Sequence, residues 1–445
     1  MLFALPFLAT ALALASSPGA AGGVDETWPA WRGPDGTGVA RSSAPLSWSD
    51  DENIKWKVPI PGRGYSTPIA WNGRLFLTTA VPLEELPEPE GGGGGRGRGR
   101  GRPSPPQPET AFIVLCLDAE TGAVLWERTA KEAKPHEGYH RQYGSHASYS
   151  PVTDGERLYA SFGSQGVYCY DLDGALLWER DLGAKLEMRR AFGEGAPPVL
   201  HGDTLVLLQD HEGDSFIVAL NAETGEVEWR VERDEPSSWA TPLILEHDGV
   251  WQVVTAATNR VRSYALADGE LLWECGGLGA NAIPSVLRHG DLILAMTGYR
   301  NSKLLAIGLG GEGDLTDSDA VKWTAERGLA YTASPVLANG KLFVLMDSGS
   351  VSCFDAATGE PYYVQERIDR GLKFKASPIA AGGKLYCASE SGDVYVLGMG
   401  TELEVLGKNT LDDEFFVASP IAVGGELYLR GREHLYCISE QTAEK

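Results

Sequence analysis

A short motif that recurs along the chain limits its possible folds more than any other feature. It is a turn that ends in Gly, followed by an aromatic residue four positions later. The Gly–aromatic pairs are Gly122–Trp126, Gly174–Trp178, Gly225–Trp229, Gly269–Trp273 and Gly359–Tyr363. The surrounding residues repeat as well, as LDAETGAVLW, YDLDGALLW, LNAETGEVEW, ALADGELLW and FDAATGEPYY. Repetition of this kind indicates that the chain is built from copies of one structural unit.

A second anchor, a proline flanked by small residues, falls between these copies and sets their spacing. The anchors are Pro68, Pro151, Pro198, Pro242, Pro284, Pro335, Pro378 and Pro420. Successive intervals are 83, 47, 44, 42, 51, 43 and 42 residues. A repeat of roughly 40 to 50 residues is typical of a propeller or another repeat array. The anchors therefore predict eight consecutive units.

Each unit has the pattern of four short strands separated by tight turns. In the second unit the segments are YSPVTDG, ERLYASFG, GVYCYDLDG and ALLWERDLG. Alternation in LYASF and GVYCY fits pleated strands, and the Asp–Gly turns suit hairpins. The motif Trp falls early on the fourth strand, where we expect it to fill the space between units. The sequence predicts an all-β fold, an eight-bladed β-propeller of four-stranded antiparallel blades.

The two ends of the repeat region complement each other. Residues 54–60 have the pattern of an outermost strand with no earlier blade of its own. The last unit, SPIAVGGELYLRGREHLYCIS, contains three strands and then stops. We expect the N-terminal strand to complete the last blade, which closes the ring and leaves no open edge.

The remaining segments give a domain organisation with three parts. Residues 1–21 begin with an apolar run without charged side chains and are predicted to be a signal peptide, with an uncleaved membrane anchor as the alternative. Residues 22–53 form a lead-in segment expected to pack on the propeller by its aromatic residues, and residues 54–440 form the propeller. Within blade one, residues 81–109 contain a Gly/Arg/Pro tract and are predicted to be a disordered loop.

Charge and cysteine usage narrow the class of partner and the compartment. The net charge is −23, which disfavours nucleic acid and anionic membrane surfaces as partners. We expect a periplasmic or secreted monomer, with membrane contact by association or through an uncleaved signal. The strand cysteines, expected to be small buried hydrophobes, are Cys116, Cys169, Cys353 and Cys437.

An insertion at residues 130–149 separates the first two units and is rich in histidine and tyrosine. His136 and His140 have a spacing that a helix could turn into a pair of metal ligands. The segment is interrupted by glycines and has no carboxylate or cysteine that completes a zinc site. We expect a polar loop at the mouth of the axial channel, with metal binding as the alternative.

The loops before each innermost strand, and those between the second and third strands, crowd one mouth of a propeller channel. The candidate ligand contacts taken from those loops are His146, Arg190, Trp239, Asn259, Arg260, Arg300, Lys375, Glu390 and Arg430. Their basic members could take an anionic group. The carboxylate-rich loop with Asp210, Glu212 and Asp214 is a candidate calcium site. Solvated loop charges and ion pairs between blades would give the same pattern, and no residue is assigned a catalytic role.

Longer stretches resemble the pyrroloquinoline-quinone-type β-propeller repeat family, and more narrowly its secreted branch common in planctomycete-like bacteria. The segments that carry this resemblance are WPAWRGPDGTG, SPVTDGERLYASFGSQGVYCYDLDGALLWERDLG, RDEPSSWATP, TNRVRSYALADGELLWE, ASPIAAGGKLYCASESGDVYVL and LYCIS. They extend from about residue 28 to residue 439. The resemblance implies the propeller fold. It does not single out one function, because the same fold hosts many functions.

Two functional classes follow from the resemblance. Quinoprotein dehydrogenases of this fold hold the quinone between a Trp and a disulfide of adjacent cysteines, beside a calcium ion. This chain has no adjacent cysteine pair. The other relative is the propeller lipoprotein of the outer-membrane assembly machine, a scaffold. We therefore expect a non-catalytic binding or scaffold propeller without a resident cofactor, which takes a protein or small ligand at the channel mouth. The alternative is a dehydrogenase of alcohols or sugars that uses pyrroloquinoline quinone and calcium.

Overall fold

A computed structural model describes residues 27–84 and 106–440, which form eight antiparallel sheets in sequence order. The predicted signal peptide and most of the Gly/Arg tract lie outside the described residues. The described chain is all-β, with two short 3-10 turns at Gly163–Gln165 and Arg189–Ala191. It is an eight-bladed β-propeller, as predicted.

The first four blades run from inner to outer strand in chain order. Blade one consists of β2 (Ile69–Trp71), β3 (Arg74–Pro82), β4 (Thr110–Asp118) and β5 (Val124–Ala133). Blade two consists of β6 (Val152–Thr153), β7 (Arg157–Ser161), β8 (Val167–Asp171) and β9 (Leu176–Arg180). Blade three consists of β10 (Val199–His201), β11 (Thr204–Gln209), β12 (Ser215–Asn221) and β13 (Val227–Arg233). Blade four consists of β14 (Leu243–His247), β15 (Val250–Ala256), β16 (Arg260–Ala265) and β17 (Leu271–Gly276), with β21 (Gly313–Asp314) added in parallel to β17.

The last four blades follow the same plan, apart from the origin of one strand. Blade five consists of β18 (Leu287–His289), β19 (Leu292–Thr297), β20 (Lys303–Gly308) and β22 (Val321–Ala325). Blade six consists of β23 (Val336–Ala338), β24 (Lys341–Leu345), β25 (Ser350–Asp355) and β26 (Pro361–Arg367). Blade seven consists of β27 (Ile379–Ala381), β28 (Lys384–Ala388), β29 (Asp393–Gly398) and β30 (Val405–Thr410). Blade eight consists of β31 (Ile421–Val423), β32 (Glu426–Arg430), β33 (His434–Ile438) and β1 (Ile54–Pro59).

The closing strand is the one predicted from the two chain ends. In the outermost position of blade eight, β1 pairs antiparallel with β33, from Ile54 opposite Ile438 to Pro59 opposite His434. The N-terminal strand thus completes the last blade, which leaves the ring without an open gap.

The repeated Gly–Trp motif forms an interlock between neighbouring blades. The motif Trp of one blade covers the motif Gly of the next, and a Cβ built on Gly225 would lie 2.6 Å from the Trp178 ring. The same contact joins Trp56 to Gly122, so the closing strand docks on blade one as the other outer strands dock on their neighbours. The remaining pairs are Trp126–Gly174, Trp229–Gly269 and Trp323–Gly359. The prediction that the motif Trp fills the space between blades is confirmed.

Most of these indoles are also hydrogen-bonded across the blade boundary. The indole N–H of Trp178 donates to the Ala222 carbonyl at 2.9 Å, and that of Trp126 donates to the Leu172 carbonyl at 3.0 Å. Trp273 differs because its indole N–H donates to Gln252 in its own blade at 3.3 Å. The insertion that carries β21 replaces the ordinary turn at this boundary.

The cysteines play the structural role expected of them. All six are free and buried, including Cys116, Cys169, Cys353 and Cys437. Burial raises the pKa of the Cys169 thiol to about 12, so this sulfur is held as a neutral thiol in the core.

The lead-in segment crosses the ring from blade one to blade seven. Trp28 is buried and exchanges backbone hydrogen bonds with Ala70 of blade one, at 2.8 and 2.9 Å. Further along, the Ala40 amide donates to Ala380 of blade seven at 2.7 Å. Between them Arg32 is buried, and its guanidinium donates to the carbonyls of Pro335 at 2.8 Å and Pro378 at 2.6 Å. The lead-in therefore ties blade one to blades six and seven.

The interlock predicts unequal costs for two glycine substitutions in blade three. Gly225 and Gly202 both have positive φ, 69° and 54°, so an alanine at either position is strained. Gly225→Ala would also collide with Trp178, whereas nothing lies within 4 Å of a Cβ at Gly202. We expect Gly225→Ala to lower the unfolding free energy by about 1–3 kcal/mol more than Gly202→Ala. Equal losses in denaturant titrations would contradict the interlock.

Closure by β1 predicts the effect of removing it. Deletion of residues 24–60 takes away β1 and the lead-in, which leaves β33 as an unpaired edge in blade eight. An exposed edge strand pairs readily with other chains, so we expect aggregation. Size-exclusion chromatography with light scattering measures it. A monomer with an unchanged melting temperature would show that the ring does not depend on this strand.

Candidate functional site

A pocket of about 330 Å³ lies where the loops before the inner strands converge. One residue near the start of the inner strand lines it from each of the eight blades. In blade order these residues are Thr67, Ser150, Pro197, Thr241, Ile283, Ser334, Ser377 and Val417. A pocket with a contribution from every blade lies on the axis of the ring, which is the mouth predicted from the loop pattern.

The residues before the repeated prolines hold neighbouring blades together around this pocket. The Ser334 amide donates to the Ser377 hydroxyl at 2.8 Å, and the Ser377 amide donates to the Ser419 hydroxyl at 3.0 Å. The Ser419 amide donates to Thr67 at 3.0 Å, across the boundary between the last and the first blade. At one end of the belt the amide of Ser285, which follows its proline, donates to the Ser334 hydroxyl. At the other end the Thr67 amide donates to the Ser150 hydroxyl. Pro197 has no hydroxyl, so the belt stops before blade three.

Aromatic rings form much of the pocket wall. The Trp239 indole N–H donates to the Gly193 carbonyl at 2.7 Å, which fixes its ring beside Phe192 at a centroid distance of 6.4 Å. Trp31, from the lead-in, also lines the pocket, and its indole N–H donates to Ser285 at 3.0 Å. The wall therefore offers flat apolar surfaces whose positions are held by hydrogen bonds.

Two charged residues line the pocket from opposite blades. Glu194, before blade three, accepts hydrogen bonds from the Ser164 amide and hydroxyl, both at 2.7 Å. Burial raises the pKa of this carboxyl to about 7. Lys375, before blade seven, forms an ion pair with Asp347 at 2.5 Å and lies 4.8 Å from the centroid of the Tyr143 ring.

The insertion at residues 130–149 contributes to the mouth, as predicted. His140 and Tyr143 line the pocket, and their rings stack at a centroid distance of 4.8 Å. Burial lowers the pKa of His140, and the charges of Lys375 and Arg63 add to that effect. His136 contacts the Leu186 carbonyl at 3.0 Å instead of sharing a ligand with His140.

The predicted contacts have different positions relative to the pocket. Trp239 and Lys375 line it directly, and Glu390 accepts a hydrogen bond from the pocket residue Tyr143 at 3.2 Å. His146 lines a small adjoining cavity, and burial lowers its pKa to about 4. Three further predicted contacts are exposed and are absent from the pocket lining: Arg190, Asn259 and Arg300.

The basic side chains do not form a free cation cluster. Arg260 pairs with Asp314 at 3.0 Å and with Glu274 at 3.2 Å, both in its own blade. Arg430 is buried, and its guanidinium donates to the Ser66 and Thr78 carbonyls at 2.7 and 2.9 Å. Burial lowers the pKa of Arg430 to about 9. Lys375 has its own carboxylate, so this set is unsuited to a shared anion.

The carboxylate-rich loop of blade three serves an internal ion pair. Asp210 receives two hydrogen bonds from Arg233, at 2.7 and 3.1 Å, and a third from the Ser238 hydroxyl at 2.7 Å. Glu212 accepts from Ser237 at 2.9 Å, and the Asp214 side chain is exposed. Across residues 27–84 and 106–440, no group of three His, Cys, Asp or Glu side chains is placed to hold a metal ion. Asp210, Glu212 and Asp214 therefore do not converge as the calcium prediction requires.

Several pocket residues were not among the predicted contacts, although some carried a signal. The residues before the repeated prolines are mostly Ser or Thr, and that repetition could have identified Thr67, Ser150, Ser334 and Ser377 as a ring around the axis. Trp31 lacked such a signal because it belongs to the lead-in, whose path across the ring depends on tertiary contacts.

Fold and site together define a pyrroloquinoline-quinone-type repeat propeller. The profile of the family described as outer membrane protein assembly factor BamB matches residues 110–274 and 167–405. These overlapping matches cover more than half of the 445 residues, so the chain belongs to this family.

One curated relative is the outer membrane protein assembly factor BamB of Bordetella pertussis, 26% identical over 241 residues. The match covers 50% of this chain and 56% of that relative. BamB from Moraxella catarrhalis has a similar structure, with a TM-score of 0.53 at 13% identity over 77% of this chain and 95% of that one. The quinohemoprotein alcohol dehydrogenase from Comamonas testosteroni gives a TM-score of 0.62 at 10% identity, over 93% and 80% of the two chains. At these identities the structural likeness shows a shared fold.

The residues around the pocket do not fit the quinone and calcium pair implied by the dehydrogenase resemblance. Trp239 could cover one face of a flat cofactor. The resemblance implies a disulfide of adjacent cysteines at the opposite face, and the six cysteines are all separate, free and buried. Among the described residues Glu194 is the one carboxylate in the pocket lining, whereas a calcium ion takes about six to eight oxygen ligands. We therefore derive no step through a quinone.

The raised pKa of Glu194 predicts a pH-dependent effect of Glu194→Gln. Because the folded pKa, about 7, lies above the ordinary 4.5, this carboxyl favours folding at low pH and loses that contribution as the pH rises through 7. Glutamine stays neutral, so Glu194→Gln should gain stability relative to the parent chain by ~2 kcal/mol between pH 5 and pH 8. Urea unfolding of both chains at the two pH values measures this difference. The contributions of all other titratable groups cancel because both chains contain them. The same stability difference between Glu194→Gln and the parent chain at both pH values would mean that the pKa of Glu194 is not raised.

Proposed function

We propose that this protein is an exported binding propeller that takes a protein segment or a small ligand in the axial pocket and performs no chemistry there. The observation that supports the proposal most directly is the pocket itself. Every blade contributes to it, aromatic rings line it, and its two charged residues already have hydrogen-bonding partners. A concave, largely apolar site with a few fixed polar groups is the usual form of a ligand site.

The name of the relatives agrees with a role in binding. The Bordetella pertussis relative is described as an outer membrane protein assembly factor, and the Moraxella structure carries the same name, BamB. We extend that description to this chain as one form of the proposal, a scaffold that holds part of another protein at its mouth. Within the described residues no helix is long and apolar enough to cross a membrane.

A pocket-narrowing variant tests the proposed site. Val417 lines the pocket from blade eight, and Val417→Trp places a large ring in it without removing a hydroxyl of the belt. The matched control is Val405→Trp, because Val405 is 46% exposed on an outer strand far from the lining. Ligand-observed NMR with a mixed library of small molecules and short peptides identifies what binds to the parent chain.

We expect the compounds that bind the parent chain to lose at least about tenfold in affinity with Val417→Trp, because the added ring occupies their volume. Their affinity for the Val405→Trp control should equal that for the parent chain. Ligands that bind both variants with the parent affinity would place the binding site elsewhere on the molecule and refute the axial pocket.

A further inference from the structure

One side of the axial pocket places a carboxylate among aromatic rings. Glu194 and Phe192 belong to the loop before blade three, and Trp239 belongs to the loop before blade four. The Trp239 indole is held by its hydrogen bond to Gly193, the residue next to Glu194. The His140 ring, which also lines the pocket, meets Phe192 edge-on at a centroid distance of 5.6 Å. The carboxylate and the rings are therefore fixed together before any ligand arrives.

The Glu194 carboxylate has no basic partner among the residues that the structure describes. The carboxylate accepts hydrogen bonds from the neutral amide and hydroxyl groups of Ser164. Within residues 27–84 and 106–440, no Lys, Arg or His nitrogen is paired with it, although eighteen ion pairs occur elsewhere in that part of the chain. The nearby charge of Glu137 opposes its ionisation further. A buried carboxylate of this kind is stabilised by any cation that reaches it.

The basic residue on the opposite wall does not serve this carboxylate. Blades three and seven are four blades apart in a ring of eight, so Glu194 and Lys375 approach the pocket from opposite sides. Lys375 is neutralised by Asp347 and lies over the Tyr143 ring at 4.8 Å. This contact also shows that an aromatic wall of the pocket accommodates a cation.

We propose that the side of the pocket formed by Phe192, Glu194 and Trp239 binds an organic cation, with an ammonium or guanidinium group against the carboxylate and an apolar body against the rings. Aromatic faces attract cations through their quadrupole, and a carboxylate adds a charge-assisted hydrogen bond. The net charge of −23 favours the approach of a cation to this protein. This inference rests on the proposed function and adds the class of ligand. A small free amine and a lysine or arginine side chain of a polypeptide share this chemistry.

Binding of such a ligand is coupled to a proton. Without the ligand, burial holds the pKa of Glu194 at about 7, and a cation in contact with it favours the ionised form. The affinity should therefore rise with pH through 7, with release of a proton on binding below that pH. The other titratable or charged groups that face this region are Glu137, His140, His146, Tyr149 and Lys375. Burial raises the pKa of Glu137 to about 6. This carboxyl therefore titrates at a lower pH than Glu194 and adds to the pH dependence of binding there.

The first experiment compares a cation with its neutral analogue. Phenethylammonium and 2-phenylethanol are titrated into the full chain at pH 6 and pH 8 by isothermal titration calorimetry. A second arm uses a blocked Gly-Lys-Gly peptide and its lysine-acetylated form, which tells a polypeptide source from a small amine. We expect each cation to bind at least about tenfold more tightly than its neutral partner at pH 8, and about tenfold less tightly at pH 6 than at pH 8. Equal affinity of cation and neutral analogue, or no binding of either cation, overturns the inference.

The second experiment assigns the effect to Glu194. We expect Glu194→Gln to lower the affinity for the cation by about tenfold or more and to change the affinity for the alcohol little. The affinity for the cation should also no longer depend on pH. Glu223→Gln is the matched control, because Glu223 is exposed on a turn of the same blade. If Glu194→Gln does not fold, Phe192→Leu provides the second test, since loss of the ring should lower the affinity for the cation severalfold. Unchanged cation affinity in a folded Glu194→Gln chain overturns the assignment.

The outcomes separate this inference from the proposed function. If the alcohol and the amine bind equally and Val417→Trp excludes both, the axial pocket is the binding site and the cation assignment is wrong. If the library ligands bind the Val417→Trp chain as well as the parent, the proposed function itself fails.

Discussion

The contact between the motif Trp of one blade and the motif Gly of the next is the interaction on which the rest of the structure depends. A propeller blade has two broad faces to cover and can do so only against its neighbours. The Trp178 ring does this where Gly225 leaves room, with no side chain between them. Because the closing strand carries Trp56 against Gly122, the first and last blades meet through the same contact as most others. The regular ring follows from repeating one local fit.

The regular ring in turn determines the shape of the binding site. Hydroxyl groups before the inner strands join blades five to eight and one to two around the axis, and the belt stops where Pro197 replaces a hydroxyl residue. Blades three and four, beyond the end of the belt, bring Phe192, Glu194 and Trp239 to the pocket. The asymmetry of the pocket thus coincides with the place where the repeat departs from its own pattern.

The repeated features could be predicted from the sequence, and the departures from the repeat could not. Blade number, closure by β1 and the position of the motif Trp follow from spacings that recur several times along the chain. The direction of a loop side chain follows no repeated pattern in the sequence. Arg430 and Asp210 were therefore predicted to contact a ligand from their charge alone. In the structure both are buried in internal hydrogen bonds, with Asp210 bound to Arg233. The Arg233 partner lies 23 residues away, and only the strand register brings it close.

The sharing of blade eight by the two ends of the chain affects the order in which the molecule can fold. Ile54 pairs with Ile438, so the first strand of the propeller must wait for nearly the whole chain before it finds its partner. Until then β1 carries an unpaired edge, and pairing across such a sequence separation is slow. The lead-in pairs with the inner strand of blade one, which follows it closely in the sequence, and with that of blade seven, which comes near the end of the propeller. The ring can therefore close only after blade eight has been made, which places this closure late in folding.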